Sequence, residues 1–407
     1  MKNLTKKSFK AGSWLFGHTA FARVSGLLKI AVIARILTPK QFGIYGIATL
    51  ALHFLETFSE TSIDQALIQR EKLSDKDIST AWFTSIIRGI IISIILYISA
   101  PFVSNFFNEP SAGFYIRIIA LTPLIRNFSN PQINRYRKKL NFKPEFWQRI
   151  ISTIAELISA LSLAFIYRDP RALVYAMVIG AIVEVIVSFI TMPAPKSIRP
   201  DKKILLELLN FSKWLWGSSI VSYLVLQGDD WVVGKLLGVT QLGLYQNAYK
   251  IASLPATQVT GIASQITYPA FSSIQKDKDR LRRAFKKTIS SISVFGILVA
   301  IGIFIFAKPL TLIVLGNQWL ELVPALRVLG IYSVLAALGT SFGPLFKAVG
   351  QPQAIAVFGI IRLSVLAIII IPFTKSLGIV GASWATVIAA LSPQPYLFYK
   401  LRQILKK

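Results

Sequence analysis

The sequence predicts an all-α polytopic membrane protein with about 12 transmembrane helices, in two pseudo-symmetric six-helix lobes around a central cavity. Three observations predict it. Apolar residues come in runs of about 20, as at 84–107, 286–307 and 352–373, enough to cross the hydrocarbon layer. Mean hydropathy is +0.58 and 54% of residues are hydrophobic, beyond the usual range of soluble domains. Residues 14–48 are echoed without a gap at 214–248, with nine identities in 35 positions. Trp14, Leu15, Gly17, Val32, Leu37, Gln41, Gly43, Tyr45 and Ala48 all return 200 residues later. A repeated membrane-embedded unit is the usual plan of a transporter, with two lobes about a shared path.

The spans follow in order. Lys2, Lys6, Lys7 and Lys10 precede an apolar stretch, as in a signal peptide. That stretch, 14–37, is too long for an h-region and contains Arg23 and Lys29, so it reads as an uncleaved first helix. Spans 42–66, 80–106, 113–133, 147–167 and 172–192 complete the first set. Pro193 to Pro200, followed by Asp201, Lys202 and Lys203, reads as a polar linker, giving lobes at 1–192 and 211–407 joined by 193–210. Spans 212–236, 242–269, 287–307, 322–346, 353–373 and 378–400 form the second set. Helix is required throughout, because a lone span must satisfy its own backbone and these runs exceed barrel strands. An even number of spans in each half relates the lobes by an axis along the membrane normal.

The formal charge is +27. In a soluble chain it would point to nucleic acid; here most of the charge sits in connections and sets orientation. Alternate connections, counted from the N-terminus, hold 29 Lys and Arg against 7 in the others, which places both termini in the cytoplasm. Trp14, Trp82, Trp147 and Trp214 begin spans on that side. The basic run Lys276 to Lys287 reads as a loop touching anionic headgroups, so membrane lipids are expected partners and nucleic acid is not.

Charges inside the spans carry the functional reading, since they are costly in hydrocarbon. Glu56, Glu60 and Asp64 have i, i+4, i+8 spacing, which predicts three carboxylates along one helix face, lining a watered cavity or paired between helices. His18, Ser25 and Lys29 share a stripe on span 1, and a shift of 200 makes Lys29 the counterpart of Asp229. The expectation is a basic first lobe facing the acid pair Asp229 and Asp230 of the second. Arg23, Arg88, Arg117, Arg126, Lys250, Arg327 and Arg362 are further embedded cations. Many cations with few acidic neighbours suit a diffuse anion such as a pyrophosphate, although Arg126 and Lys250 are placed to snorkel. Arg117 and Arg327 occupy matching places in spans 4 and 10.

Other chemistries fail on the residues. The chain has no cysteine, and His18 and His53 have no second ligand at metal spacing, so neither a disulfide framework nor a metal site is predicted. Gly339-Thr-Ser-Phe-Gly343 matches a hydrolase elbow, but it lies within a span and no histidine follows it. Small residues there predict close helix contact instead. Gly228 to Lys235 departs from a P-loop in spacing, with Leu236 where Ser or Thr belongs. No enzymatic activity and no cofactor are predicted.

Ala34 to Tyr45, Ala66 to Arg70 and Ser79 to Phe83 resemble segments of polysaccharide exporters. In the second half Asp230, Gly234 to Gly238, Leu244 to Pro255 and Tyr268 to Ser272 do the same. In order and spacing these are similar to Wzx-type flippases of the multidrug/oligosaccharidyl-lipid/polysaccharide superfamily, nearest the branch that includes the colanic acid exporter. The resemblance implies two six-helix lobes in a V around a cationic cavity. It implies transfer of a polyprenyl-pyrophosphate-linked oligosaccharide to the outer leaflet of the plasma membrane by alternating access, coupled in many relatives to a proton or sodium gradient. A glycan polymerase and export complex is a partner in keeping with it. Many relatives have two further helices and a Gly two residues after the span-2 acid, where this chain has Ser62. On this reading Arg23, Lys29, Arg88, Arg117 and Arg327 are the substrate-binding candidates, and Glu56, Glu60, Asp229 and Asp230 the ion-coupling candidates. Rival readings are a drug/cation antiporter of the same superfamily and a non-transporting scaffold of a glycan synthase complex.

Overall fold

A computed structural model describes residues 2–60 and 63–406, with side chains described except at 2–11, 15, 209–216, 218, 256–260, 262, 265 and 405–406. Every described element is helical. The chain divides into two compact units, Met1–Ile220 and Val221–Lys407. Unit 1 contains α1 (Lys2–Ile33), α2 (Pro39–Phe58), α3 (Ile63–Gln69), α4 (Asp75–Phe106), α5 (Ala112–Ile119), α6 (Leu121–Arg126), α7 (Ile133–Lys138), α8 (Lys143–Tyr167) and α9 (Arg171–Thr191). The division falls inside α10 (Lys202–Leu237). Unit 2 continues with α11 (Val239–Ser273), α12 (Lys278–Val314), a 3-10 turn (Asn317–Leu322), α13 (Val323–Ala348), α14 (Gln353–Leu391) and α15 (Gln394–Lys406). The expected linker 193–210 is shorter than predicted, because helix resumes at Lys202.

The duplicated segment forms the same helix–turn–helix twice. Thr38 caps α2 through a capping box with Gln41, and Pro39 starts the helix where its missing N–H is harmless. At the matching turn Gly238 adopts φ +83°, open to glycine, and α11 begins. Trp214 and Ser218, parts of the same echo, lie outside the described side chains.

Seven described helical stretches are long and apolar enough to cross a membrane by length and composition, and the last, Gln353–Ile404, contains two of the expected spans. Their outer faces are apolar: Phe102, Ile190, Ile313 and Ile368 are each at least 70% exposed, as suits a surface solvated by acyl chains. The interiors are packed. Phe271, Phe285, Phe342 and Phe346 form an aromatic core in unit 2. Gly339 lies against Phe358 of α14, the close contact expected of it.

Three expected spans are not single helices. Span 2 breaks after Phe58, where the Ser59 hydroxyl donates to the Leu55 carbonyl at 2.6 Å and Arg88 donates to the Glu56 carbonyl at 2.8 Å. These groups satisfy the last carbonyls of α2 and end it. Span 4 breaks at Ala120, because Pro123 has no N–H for the Ile119 carbonyl. It breaks again at Asn130-Pro131, where the buried Asn130 amide donates to the carbonyls of Met192 and Pro193 at 3.2 and 3.0 Å. Span 12 breaks at Ser392-Pro393 before α15. Trp82, expected at the interface, is buried and donates to the Phe128 carbonyl.

Candidate functional site

The break in span 2 undoes the carboxylate stripe. Glu56 lies on α2, Glu60 in the break and Asp64 on α3, so they share no helix face. Glu56 is near His53 Nδ1, at 3.4 Å. Asp64 is exposed and accepts from Asn134 at 2.9 Å and Arg137 at 3.3 Å, tying α3 to α7. Arg88 on α4 donates from Nε to the Ser59 hydroxyl at 3.3 Å and from Nη2 to the end of α2. The carboxylates of Glu56, Glu60 and Asp64 act electrostatically on this guanidinium.

Two of the embedded cations have an acid partner that the expectation of few acidic neighbours did not include. Lys29 donates to Glu156 of α8 at 2.6 Å, and Arg126 donates to Glu184 of α9 at 3.0 Å. Both acids went unremarked in the sequence, where each stands alone in an apolar run. A lone acid deep in a span is the signal that would have found them. The Tyr45 hydroxyl, beside Lys29, donates to the Met177 thioether at 3.2 Å. A side-chain carbon at Gly180 would press to 3.0 Å against Glu156 Cβ, so α9 is moulded to this acid. Arg23 and the buried Ser25 lie on α1 before Lys29.

In unit 2 the acid pair is buried: Asp229 is 2% exposed and Asp230 8%. Asp229 Oδ2 accepts from the Tyr245 hydroxyl at 2.6 Å and from Thr386 Oγ1 at 3.2 Å. Asp230 Oδ2 accepts from Gln246 at 3.0 Å. Tyr249 donates to the Tyr332 hydroxyl at 2.6 Å, which also accepts from Arg362 Nη2 at 3.0 Å. Arg362 itself acts electrostatically on Asp229. Lys29 and Asp229 each have hydrogen-bond partners inside their own unit.

A shift of 200 carries Lys29 to Asp229 and Tyr45 to Tyr245. The expected fifth and sixth spans of the two sets begin 206 residues apart, and on that offset Glu156 aligns with Arg362 and Gly180 with Thr386. The ion pair Lys29–Glu156 thus has Asp229 and Arg362 as its counterpart, with the signs exchanged.

Arg117 and Arg327 are not brought into these centres. Each is exposed, with its guanidinium 5.5 Å from a ring centroid, Tyr97 for Arg117 and Phe304 for Arg327. Tyr97 is nine residues beyond Arg88 on α4, about 14 Å along the helix. At the ends away from the linker, unit 1 is latched by polar contacts: Lys40 pairs with Glu109 at 3.1 Å, and Gln41 donates to the Arg168 carbonyl at 2.9 Å. Burial pushes the Glu109 carboxyl up, but hydrogen bonds from Ser111 and Lys40 outweigh it and hold the group below its ordinary value. At the linker end Arg70, Arg135, Arg137, Arg149 and Lys196 are each paired with a carboxylate. Among the described residues no cluster of His, Asp and Glu is arranged to hold a metal ion.

Comparison with known proteins agrees with this architecture. A family model described as polysaccharide biosynthesis protein matches residues 32–324. The chain is 24% identical over 407 residues to a membrane protein of the cps region of Klebsiella pneumoniae, covering 99% of this chain and 84% of that one. It is 23% identical over 352 residues to the lipopolysaccharide biosynthesis protein WzxC of Escherichia coli (strain K12), covering 85% and 71%. Its fold is similar to that of the lipid II flippase MurJ in an inward closed conformation, with a TM-score of 0.80 at 18% identity, covering 95% of this chain and 86% of that one.

Proposed function

The chain belongs to the polysaccharide biosynthesis protein family, and from that premise we propose that it is a flippase for a lipid-linked oligosaccharide used in surface polysaccharide assembly. It is an integral membrane transporter and not an enzyme. The cargo is an oligosaccharide on a polyprenyl pyrophosphate, moved from the cytoplasmic to the outer leaflet by alternating access through a cationic path between the lobes 1–192 and 211–407. Both termini are cytoplasmic, which the bias of 29 to 7 in Lys and Arg supports. The observation that carries the reading is a set of charged side chains held inside helical bundles whose outer faces are apolar. Sugar and pyrophosphate lose several kcal/mol for each polar group left unpaired in hydrocarbon, and embedded charge with water around it removes that cost.

Arg23, Lys29 and Arg88 are the proposed pyrophosphate contacts, with Arg117 and Arg327 as secondary ones. Lys29 reaches a phosphate by exchanging its Glu156 partner for a more highly charged anion. Glu56, Glu60, Asp229 and Asp230 are the proposed ion-coupling groups, serving a proton or sodium gradient. A glycan polymerase and export complex is the proposed partner. The test is reconstitution in vesicles with a fluorescent lipid-linked sugar and a leaflet-selective quencher. The protein should render the otherwise protected inner-leaflet pool quenchable within the assay, and Lys29→Gln or Arg88→Gln should slow this at least tenfold. Quenching unchanged by the protein overturns the proposal.

One observation favours a second reading. Asp229 and Asp230 lie among Tyr223, Tyr245, Tyr249 and Tyr332, an acidic and aromatic surrounding suited to an organic cation. Efflux of a cationic dye from expressing cells, lost on Asp229→Asn, would establish a drug antiporter instead.

A further inference from the structure

We propose that unit 2 carries a headgroup site for an anionic phospholipid of the bilayer, between the first turns of α12 and α15. A cavity of about 470 Å³ lies there, ringed by the cations Arg282, Lys286 and Arg402. Its floor is apolar, built by Phe285, Ile289, Phe398 and Leu401. Among the described residues no carboxylate is in salt-bridge contact with any of these three cations, and all three are exposed. Arg70, Arg135, Arg137, Arg149 and Lys196 at the linker end of unit 1 have acid partners, whereas among the described residues these three cations are in no salt bridge.

The depth is right for a headgroup. Seven basic residues lie from Lys276 to Lys287, six of them in the start of α12, which then runs apolar through 288–307, so the cavity straddles the change from charge to hydrocarbon. α15 crosses the same level, with Tyr396, Phe398 and Leu401 among apolar neighbours and Lys400 and Arg402 at its polar side. Three cations on one rim select an anion and give a zwitterionic head nothing to offset its amine. The apolar floor selects an anion that carries acyl chain with it, which favours a membrane lipid over free phosphate. Phe285 joins the aromatic core of Phe271, Phe342 and Phe346, so an occupant would rest directly on the packing of unit 2.

The experiment uses the full chain purified in neutral detergent, with phosphatidylglycerol as probe and retained lipid read by native mass spectrometry. The protein should keep phosphatidylglycerol under activation that strips phosphatidylcholine, and inorganic phosphate should not displace it. Each neutralised cation should weaken retention roughly fivefold, so Arg282→Gln/Lys286→Gln/Arg402→Gln should lose it by about a hundredfold. Lys276→Gln/Lys278→Gln/Lys287→Gln removes the same charge away from the cavity and should retain it. Equal loss in both triple variants, equal retention of phosphatidylcholine, or displacement by phosphate alone would each overturn the site. Arg282→Gln, read alone, keeps the test intact if the triple variant does not fold.

Discussion

In unit 1 a cation on the first span, Lys29, meets an acid on the fifth, Glu156. In unit 2 the matching places hold an acid, Asp229, and a cation, Arg362. The unit 1 pair is direct and about three-quarters buried, with side chains 22% and 25% exposed. The unit 2 pair is buried, and hydroxyls of Tyr245, Tyr332 and Thr386 occupy its hydrogen bonds. On the offsets of 200 and 206, charge recurs at matching places of the two sets with its sign exchanged. The difference also separates two kinds of polar centre. A partly exposed ion pair can trade one partner for an incoming anion, whereas a buried network bonded through hydroxyls resists exchange, because each lost partner strands a group in low dielectric.

The largest expected effect is in unit 1. Glu156→Ala should cost about 3 kcal/mol in thermal unfolding in detergent, because it strands Lys29. Lys29→Met/Glu156→Met should recover most of that stability while flipping stays lost. A double variant as unstable as the single one would break the comparison, since the pair would then not be self-contained. Next, Arg362→Gln should cost about 2 kcal/mol by the same measurement, and Arg362→Lys less. Neutral behaviour of Arg362→Gln would remove the sign exchange as an energetic fact.

Smaller still, Arg117→Gln and Arg327→Gln should each cost about 0.5–1 kcal/mol, the worth of an exposed guanidinium on a ring, and by equal amounts. Unequal values would show that the two units have diverged at this place too. Smallest is a pH effect confined to unit 1. The Glu109 carboxyl is held below its ordinary value, so its contact with Lys40 stabilises the fold at neutral pH. That contribution should fade as pH falls below about 4.3 and through the lowered value. Glu109→Gln should flatten the acid limb of the melting curve slightly, and an unchanged limb would mean that the latch contributes nothing.

Much of this architecture was legible beforehand. The echo at 14–48 and 214–248 foretold two matching helical turns, and hydropathy foretold the spans, because both depend on local pattern. Arg88 shows the limit. Its role in ending α2 depends on a carbonyl 32 residues away, which no periodicity reports. A continuous helix over 42–66 agrees with the local pattern and fails through that distant contact. Glu156 was overlooked for the same reason: its partner lies 127 residues earlier, and in its own segment it is one acid among apolar neighbours. Asp229 and Asp230 were legible as embedded acids, but their burial against Tyr245 and Thr386 was not.

Gly378 has φ +61°, and a side-chain carbon at Gly381 would collide with the Phe373 carbonyl oxygen. The two limbs of α14 therefore join with no spare chain between them. Arg362 sits on one limb and Thr386 on the other, so the angle set at this bend fixes where the guanidinium and the hydroxyl touching Asp229 stand along the same helix pair.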